Sequence, residues 1–228
     1  MAFSLFEYRG QKGPHDHEQC CNKEACARIV ERVLQQIGEH LPRASLLSIS
    51  LSGALCPAFD CVTPQGVRRW QERQAIAQSW VADSLGLPAD ELVCELDAKS
   101  SSLGAALPAS TLAQLQRWAR ARGHRVKSVQ PLWAQATQSR TARRAGTRAV
   151  VVQEPDASTV LAEQHPGKVE AFSLVGAPDT PTTRTRLAQW QVSLGLSPAH
   201  LLRLGFDAQA RTRMPHGPQA WATHWYPL

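Results

Sequence analysis

What this chain lacks narrows its class before any motif is considered. None of its apolar runs exceeds a handful of residues, whereas a helix crossing a bilayer needs about 20 in succession. No segment therefore reads as a membrane span. The opening MAFSLFEYRGQKG has no basic start followed by an apolar stretch, so it does not read as a secretion signal. The expectation is a cytoplasmic protein. Also missing are a GxxxxGK[ST] loop and a GxGxxG turn after a strand, the two common backbone cradles for phosphate. GQKG and HPGK are isolated turns. There is no HExxH helix, no Ser-His-Asp set and no glycosidase pair of carboxylates. The acidic residues are scattered, and no general acid and base can be named.

Disorder is excluded by composition, since 43% of the residues are hydrophobic and only 19% charged. A chain of 228 residues can form one large domain or two small ones, each with its own core. Without an export signal, the six cysteines are expected as thiols. Cys56, Cys61 and Cys94 stand among strand-like apolar residues, where a cysteine serves as a small hydrophobe. The stretch HDHEQCCNKEAC has a different character. His15, His17, Cys20, Cys21 and Cys26 are ligand types that zinc accepts, but their spacing is not that of paired CxxC motifs. A solvent-exposed leader explains the same cluster without metal.

Four segments repeat one theme, an amphipathic helix stopped near Gly or Pro and followed by a short apolar strand. The first helix runs from Lys23 to about Leu41, with Ile29, Val33, Ile37 and Leu41 on one face, and leads into SLLSISL. The second runs from Gln65 to Leu85, with Val67, Trp70, Ala77, Trp80, Val81 and Leu85 inward, and GLPADE breaks it before ELVCEL. In the third, Ser110 is the expected N-cap. Leu112, Leu115, Trp118 and Ala119 form the buried stripe, Gly123 is the left-handed terminus, and RVKSVQPLW follows as a strand. The fourth covers Pro181 to Leu194, with Leu187, Trp190 and Leu194 inward, then Gly195 and HLLRLGF. Between these lie hairpin candidates. ASLLSISLSG is expected to pair with LCPAFDCV through Gly53, and ELVCELDA with SLGAAL. RAVVVQE, STVLAEQ and KVEAFSLV read as a meander, turning at Pro155-Asp156 and Pro166-Gly167. Strands, helices and hairpins in this alternation predict an α/β protein with mixed sheets flanked by helices.

Residues 45–133 thus run strand pair, helix, strand pair, helix, strand. That order, with LSGALCPAFDCVTPQGVRRWQERQAIAQ and the closing LGAALPASTLAQLQRWARARGHRVKSVQPLW, resembles the actin-like ATPase superfamily. Within it the chain looks like the bacterial pilus-assembly protein PilM and the cytoplasmic part of the type II secretion protein GspL. The resemblance implies a degenerate, ribonuclease H-like architecture of two lobes. The expected organisation is a leader over 1–22, a first lobe over 23–138, a basic linker over 139–147, a partial second lobe over 148–210 and a tail over 211–228. The tail is rich in Pro, His and Trp, and either docks on its own domain or binds a partner.

By the same resemblance, VVVQEPDASTV stands where the second lobe would turn around a nucleotide's phosphates. Glu154 takes the place of the family's Asp, with Ser158 and Thr159 as hydroxyl contacts. Pro155 has no amide to donate, and Asp156 adds a negative charge facing a phosphate. The family's N-terminal Asp-x-Gly turn has no counterpart in FSLFEYRGQKGPHDH, which offers Glu7, Gly10 and Gly13. The resemblance therefore implies a non-catalytic cytoplasmic scaffold without a resident cofactor. It would bind the tail of an inner-membrane pilus or secretion assembly protein and form homo-oligomers. The strand edge at LCPAFDCV, with Leu55 and Phe59, and the basic residues Arg140, Arg143 and Arg144 are the expected contacts.

Two other readings stay open. An active ATPase would use ATP and magnesium at Glu154, Ser158 and Thr159. A nucleic-acid binder would use the basic region from Arg117 to Arg148, which also includes Arg120, Arg122, Arg125 and Lys127. The net charge of +6 is compatible with that. However, Trp118 and Trp133, the aromatics such binding would stack bases on, fall on predicted buried faces. A solvated helix face, or attraction to an anionic membrane surface, accounts for the same charge.

Overall fold

The structure is a computed structural model that describes residues 23–61, 63–97, 102–137, 148–165, 168–196 and 201–205. Helix α1 (Lys23–His40) buries Val30, Val33 and Leu34, with Ile37 packed beside them. It turns at Pro42 into strand β1 (Leu46–Leu51), and β2 (Ala58–Asp60) follows. Helix α2 (Trp70–Leu85) starts five residues later than its hydrophobic pattern predicts. Gly66 at φ 93 and an extended Arg69 hold the preceding residues out of the helix. Its end is as expected, at Gly86 in the left-handed region (φ 63).

Strands β3 (Leu92–Leu96) and β4 (Leu103–Pro108) form the expected hairpin, Cys94 opposite Ala106. Helix α3 (Ala109–Ala121) begins one residue before Ser110, and the N-cap position belongs to Pro108 with no side-chain cap. Ser110 is thus a first-turn residue, which corrects its expected role. Gly123 (φ 71) takes the chain into β5 (Arg125–Pro131). The last residues of RVKSVQPLW do not continue that strand. Leu132 opens a short helix, α4 (Leu132–Thr137), that buries Leu132, Trp133 and Ala136.

The rest is a meander of β6 (Ala149–Gln153), β7 (Ala157–His165) and β8 (Lys168–Val175), as predicted. Helix α5 (Pro181–Ser193) follows, its first turn capped by Thr180, whose hydroxyl accepts the Thr183 N–H. It leads to β9 (Leu201–Gly205), which lies parallel to β6 on the side away from β7.

The strands form two sheets. One is a parallel pair, β1 with β5; the other has seven strands in the order β3-β4-β2-β8-β7-β6-β9. The expected hairpin between β1 and β2 is therefore absent. The chain leaves one sheet at Leu51 and enters the other at Ala58, because β1 buries Leu51 against α1 and α3 while β2 inserts between β4 and β8. Phe59 opposite Phe172 is the register point where the stretch before residue 138 meets the stretch after 147.

Alternation along these strands assigns the layers. Phe59, Cys94 and Ala106 pack under α2 with Ala77, Val81 and Ala82, while Val151, Val160 and Ala162 pack under α5 with Leu187 and Trp190. The other face of the large sheet meets α4 through Trp133, and β1, α1 and α3 through Leu107 and Cys56. Two residues predicted inward on α2, Trp70 and Trp80, are 40% and 46% exposed. The residues α2 turns to the sheet are instead Ala77, Val81 and Ala82.

Candidate functional site

The Val-rich run of β6 is buried on both faces and ends at Gln153. The hairpin to β7 closes at once, the Glu154 N–H donating to Ala157 O (2.7 Å) around Pro155 and Asp156. The Gly176 N–H donates to Asp156 O (2.8 Å), which fastens the end of β8 to the same tip.

A second turn faces this one. After β1, Ser52 O accepts the N–H groups of Leu55 (3.0 Å) and Cys56 (2.8 Å), winding the chain sharply toward β2. The two turns lock together. The Gly53 N–H donates to Glu154 Oε1 at 3.0 Å, and the Ser52 hydroxyl donates to Asp156 Oδ1 at 2.9 Å while accepting the Ala54 N–H. A side chain at position 53 would place its Cβ 2.5 Å from Thr159 Oγ1 and 3.2 Å from Glu154 Oε1, so glycine is required by close approach. Thr159 Oγ1 in turn bonds Ser173 Oγ (2.9 Å), which accepts the Ala58 N–H (3.0 Å). The Trp133 indole N–H closes the far side on Cys56 O (2.9 Å).

Glu154 is wholly buried. Burial pushes its carboxyl up to about 8 and the neighbouring Asp156 charge adds to this, while the Gly53 amide and the Ser52 hydroxyl pull the other way. Burial thus favours the protonated carboxyl. It still accepts the Gly53 amide through Oε1, and Oε2 has no hydrogen-bond partner. Burial likewise raises the thiols of Cys56 and Cys94, both to about 12, and that of Cys61. All three cysteines are buried, as their strand contexts predict.

The three residues expected to face a nucleotide do not converge. Ser158 lies opposite Gln153 and Thr159 opposite Val152 in the β6–β7 register. Successive residues point to opposite faces, so Glu154 and Thr159 share the face toward Gly53 while Ser158 is on the face of α5. The Ser158 hydroxyl is buried and unpartnered. Ser52 and Gly53 are the residues that sequence reasoning missed. Their only signal was a small-residue turn directly after an apolar strand.

The expected partner contacts are also redistributed. Phe59 is 7% exposed, its ring against Gly104 and 6.0 Å from that of Trp80, and Leu55 packs against the core under α1. Strand β2, Ala58–Asp60 of LCPAFDCV, is interior to its sheet and offers no free edge, which corrects that expectation. Among the described residues, unpaired edges remain on β3 and β9 and on both sides of the β1–β5 pair. Arg140, Arg143, Arg144, His15, His17, Cys20 and Cys21 lie outside the described residues, as does the side chain of Cys26. Among the described residues no group of three or more His, Cys, Asp or Glu is placed to hold a metal ion.

This arrangement of helix-covered mixed sheets is an actin-like ATPase fold. The chain superposes on a Bacteroides thetaiotaomicron protein of actin-like ATPase fold and unknown function with a TM-score of 0.51, at 11% identity, covering 82% of this chain and 70% of that one. It is also similar to the cytoplasmic domain of EpsL, an inner-membrane component of the Vibrio cholerae type II secretion system. There the TM-score is 0.46 at 14% identity, over 77% of this chain and 67% of that one. Against a PilM–PilN type IV pilus biogenesis complex the TM-score is 0.42 at 12% identity, over 78% of this chain and 54% of that one. No family model and no curated protein sequence matches the chain.

Proposed function

We propose that the protein is a non-catalytic scaffold at the cytoplasmic face of an inner-membrane assembly platform, of the type IV pilus or type II secretion kind, where it holds the tail of a membrane partner. The observation that carries the non-catalytic part is the closed junction between the 52–54 and 154–157 turns. Phosphate recognition by such turns relies on free backbone amides with room for the anion. Here Pro155 has no amide, the Gly53 amide is taken by Glu154, and a Cβ at Gly53 would meet Thr159 Oγ1 at 2.5 Å. The carboxyl that would position a metal or water is buried, and burial favours its protonated form. The assembly context is supported by the resemblance of residues 45–133 to PilM and GspL. No helix among the described residues is long and apolar enough to cross a membrane.

The test has two arms. Mg-ATP is expected to leave the melting temperature unchanged. The protein is expected to co-purify with an inner-membrane pilus or secretion component. ATP-dependent stabilisation that disappears when Ser158 and Thr159 are both replaced by Ala would instead establish a nucleotide site.

A further inference from the structure

At one end of the β1–β5 layer, two helix-to-strand turns lie side by side. The 41–45 turn leaves α1, and the 122–124 turn leaves α3. They are joined directly, the Arg125 N–H donating to Ser45 O (2.9 Å) and the Ser45 N–H to His124 Nδ1 (3.2 Å). His124 is buried beneath them, its ring 5.5 Å from that of Trp118.

The pair of turns collects charge of one sign. Arg43, Arg120, Arg122, Arg125 and Lys127 are all exposed here, and Glu39 is the acidic residue nearest them along the chain. None of the five has a carboxylate partner among the described residues, and Arg122 instead lies over the Trp118 ring, 5.4 Å from its centroid. Beside Arg125 stands Leu46, 65% exposed and its direct register partner. Paired residues in a parallel ladder project to the same face, so a bare leucine and a guanidinium stand together.

We propose that this end of the molecule docks on an anionic lipid surface. An aliphatic tip among arginines suits the headgroup boundary, where the leucine enters the apolar zone and the guanidiniums stay at the phosphates. Each cation near such a surface adds attraction that is lost within a Debye length. Single-stranded nucleic acid would require exposed stacking rings, and the aromatic of this patch, Trp118, is covered by Arg122. The inference stands apart from the assembly role, since a scaffold could reach its membrane partner without touching lipid.

The experiment is co-sedimentation of the full chain with vesicles of phosphatidylcholine alone, or of phosphatidylcholine mixed with phosphatidylglycerol, at low and high salt. Binding is expected only to the anionic vesicles and weakens with salt. Arg43→Glu combined with Arg125→Glu lowers the partition coefficient by about tenfold or more. Leu46→Ser weakens binding at high salt, where the apolar contact carries the larger share. A control pair of reversals elsewhere, Arg69→Glu with Arg184→Glu, leaves binding close to that of the parent, and circular dichroism checks that each variant folds. Equal binding to both vesicles, equal loss in the control pair, or tighter retention by duplex DNA that depends on Arg43 and Arg125 would overturn the proposal.

Discussion

Gly53 and Glu154, 101 positions apart in the chain, meet as an amide and a buried carboxyl at 3.0 Å. The contact joins the turn after β1 to the hairpin between β6 and β7, and it leaves no space for a side chain at position 53.

The first prediction concerns that space. Gly53→Ala should destabilise the protein by about 1–3 kcal/mol through overpacking against Thr159. A double-mutant cycle with Thr159→Ala, read by urea denaturation, should recover part of the loss. Additive effects would show that the close approach is relieved elsewhere.

The pH dependence of stability follows from Glu154. Its folded-state pKa is raised from 4.5 to about 8, so the folded protein keeps a proton that the unfolded chain has released. The stabilisation linked to that proton is complete below pH 4.5 and is lost as the pH rises through about 8. Its size is on the order of 5 kcal/mol. Chemical melts between these limits should show the decline, and Glu154→Gln, which cannot ionise, should flatten it. An equally steep profile in the variant would assign the effect to other groups.

Ser158 and Thr159 should respond oppositely to loss of their hydroxyls. Ser158 Oγ is buried without a partner, so Ser158→Ala should be neutral or stabilising by about 1 kcal/mol. Thr159→Val removes the bond to Ser173 Oγ and should cost about 1–2 kcal/mol. Thermal melts of the two variants decide it, and equal losses would contradict the assigned faces.

Thiol reactivity tests the burial of the cysteines. With their pKa values near 12 and their sulfurs covered, Cys56 and Cys94 should resist iodoacetamide at pH 8 in the native protein. Both should react after denaturation in guanidinium. Peptide mass spectrometry separates them from the other cysteines, and rapid native labelling of either would show that the packing around it opens.

Much of the fold was legible because local pattern and packing agree. The stripe Leu187, Trp190 and Leu194 marks α5, the Val-rich run marks β6, and Gly86 and Gly123 end their helices where left-handed backbone is needed. Errors came where a distant partner overrode the local pattern. PLW reads as strand, yet Leu132 starts a helix that lets Trp133 reach Cys56 O. Trp70 and Trp80 follow helical spacing, but α2 turns Ala77, Val81 and Ala82 to the sheet instead.

The sequence by itself determined most of the segments that become strands and helices, and that residues 154–156 would form a tight turn with one proline and two carboxyls. Only the tertiary structure decided what that turn faces. Alternation of apolar residues says that a strand has a buried side, because water rejects those side chains wherever they go. It does not say which other strand lies beside it. That choice put β2 inside a sheet rather than at its edge, and it placed the Gly53 amide against Glu154.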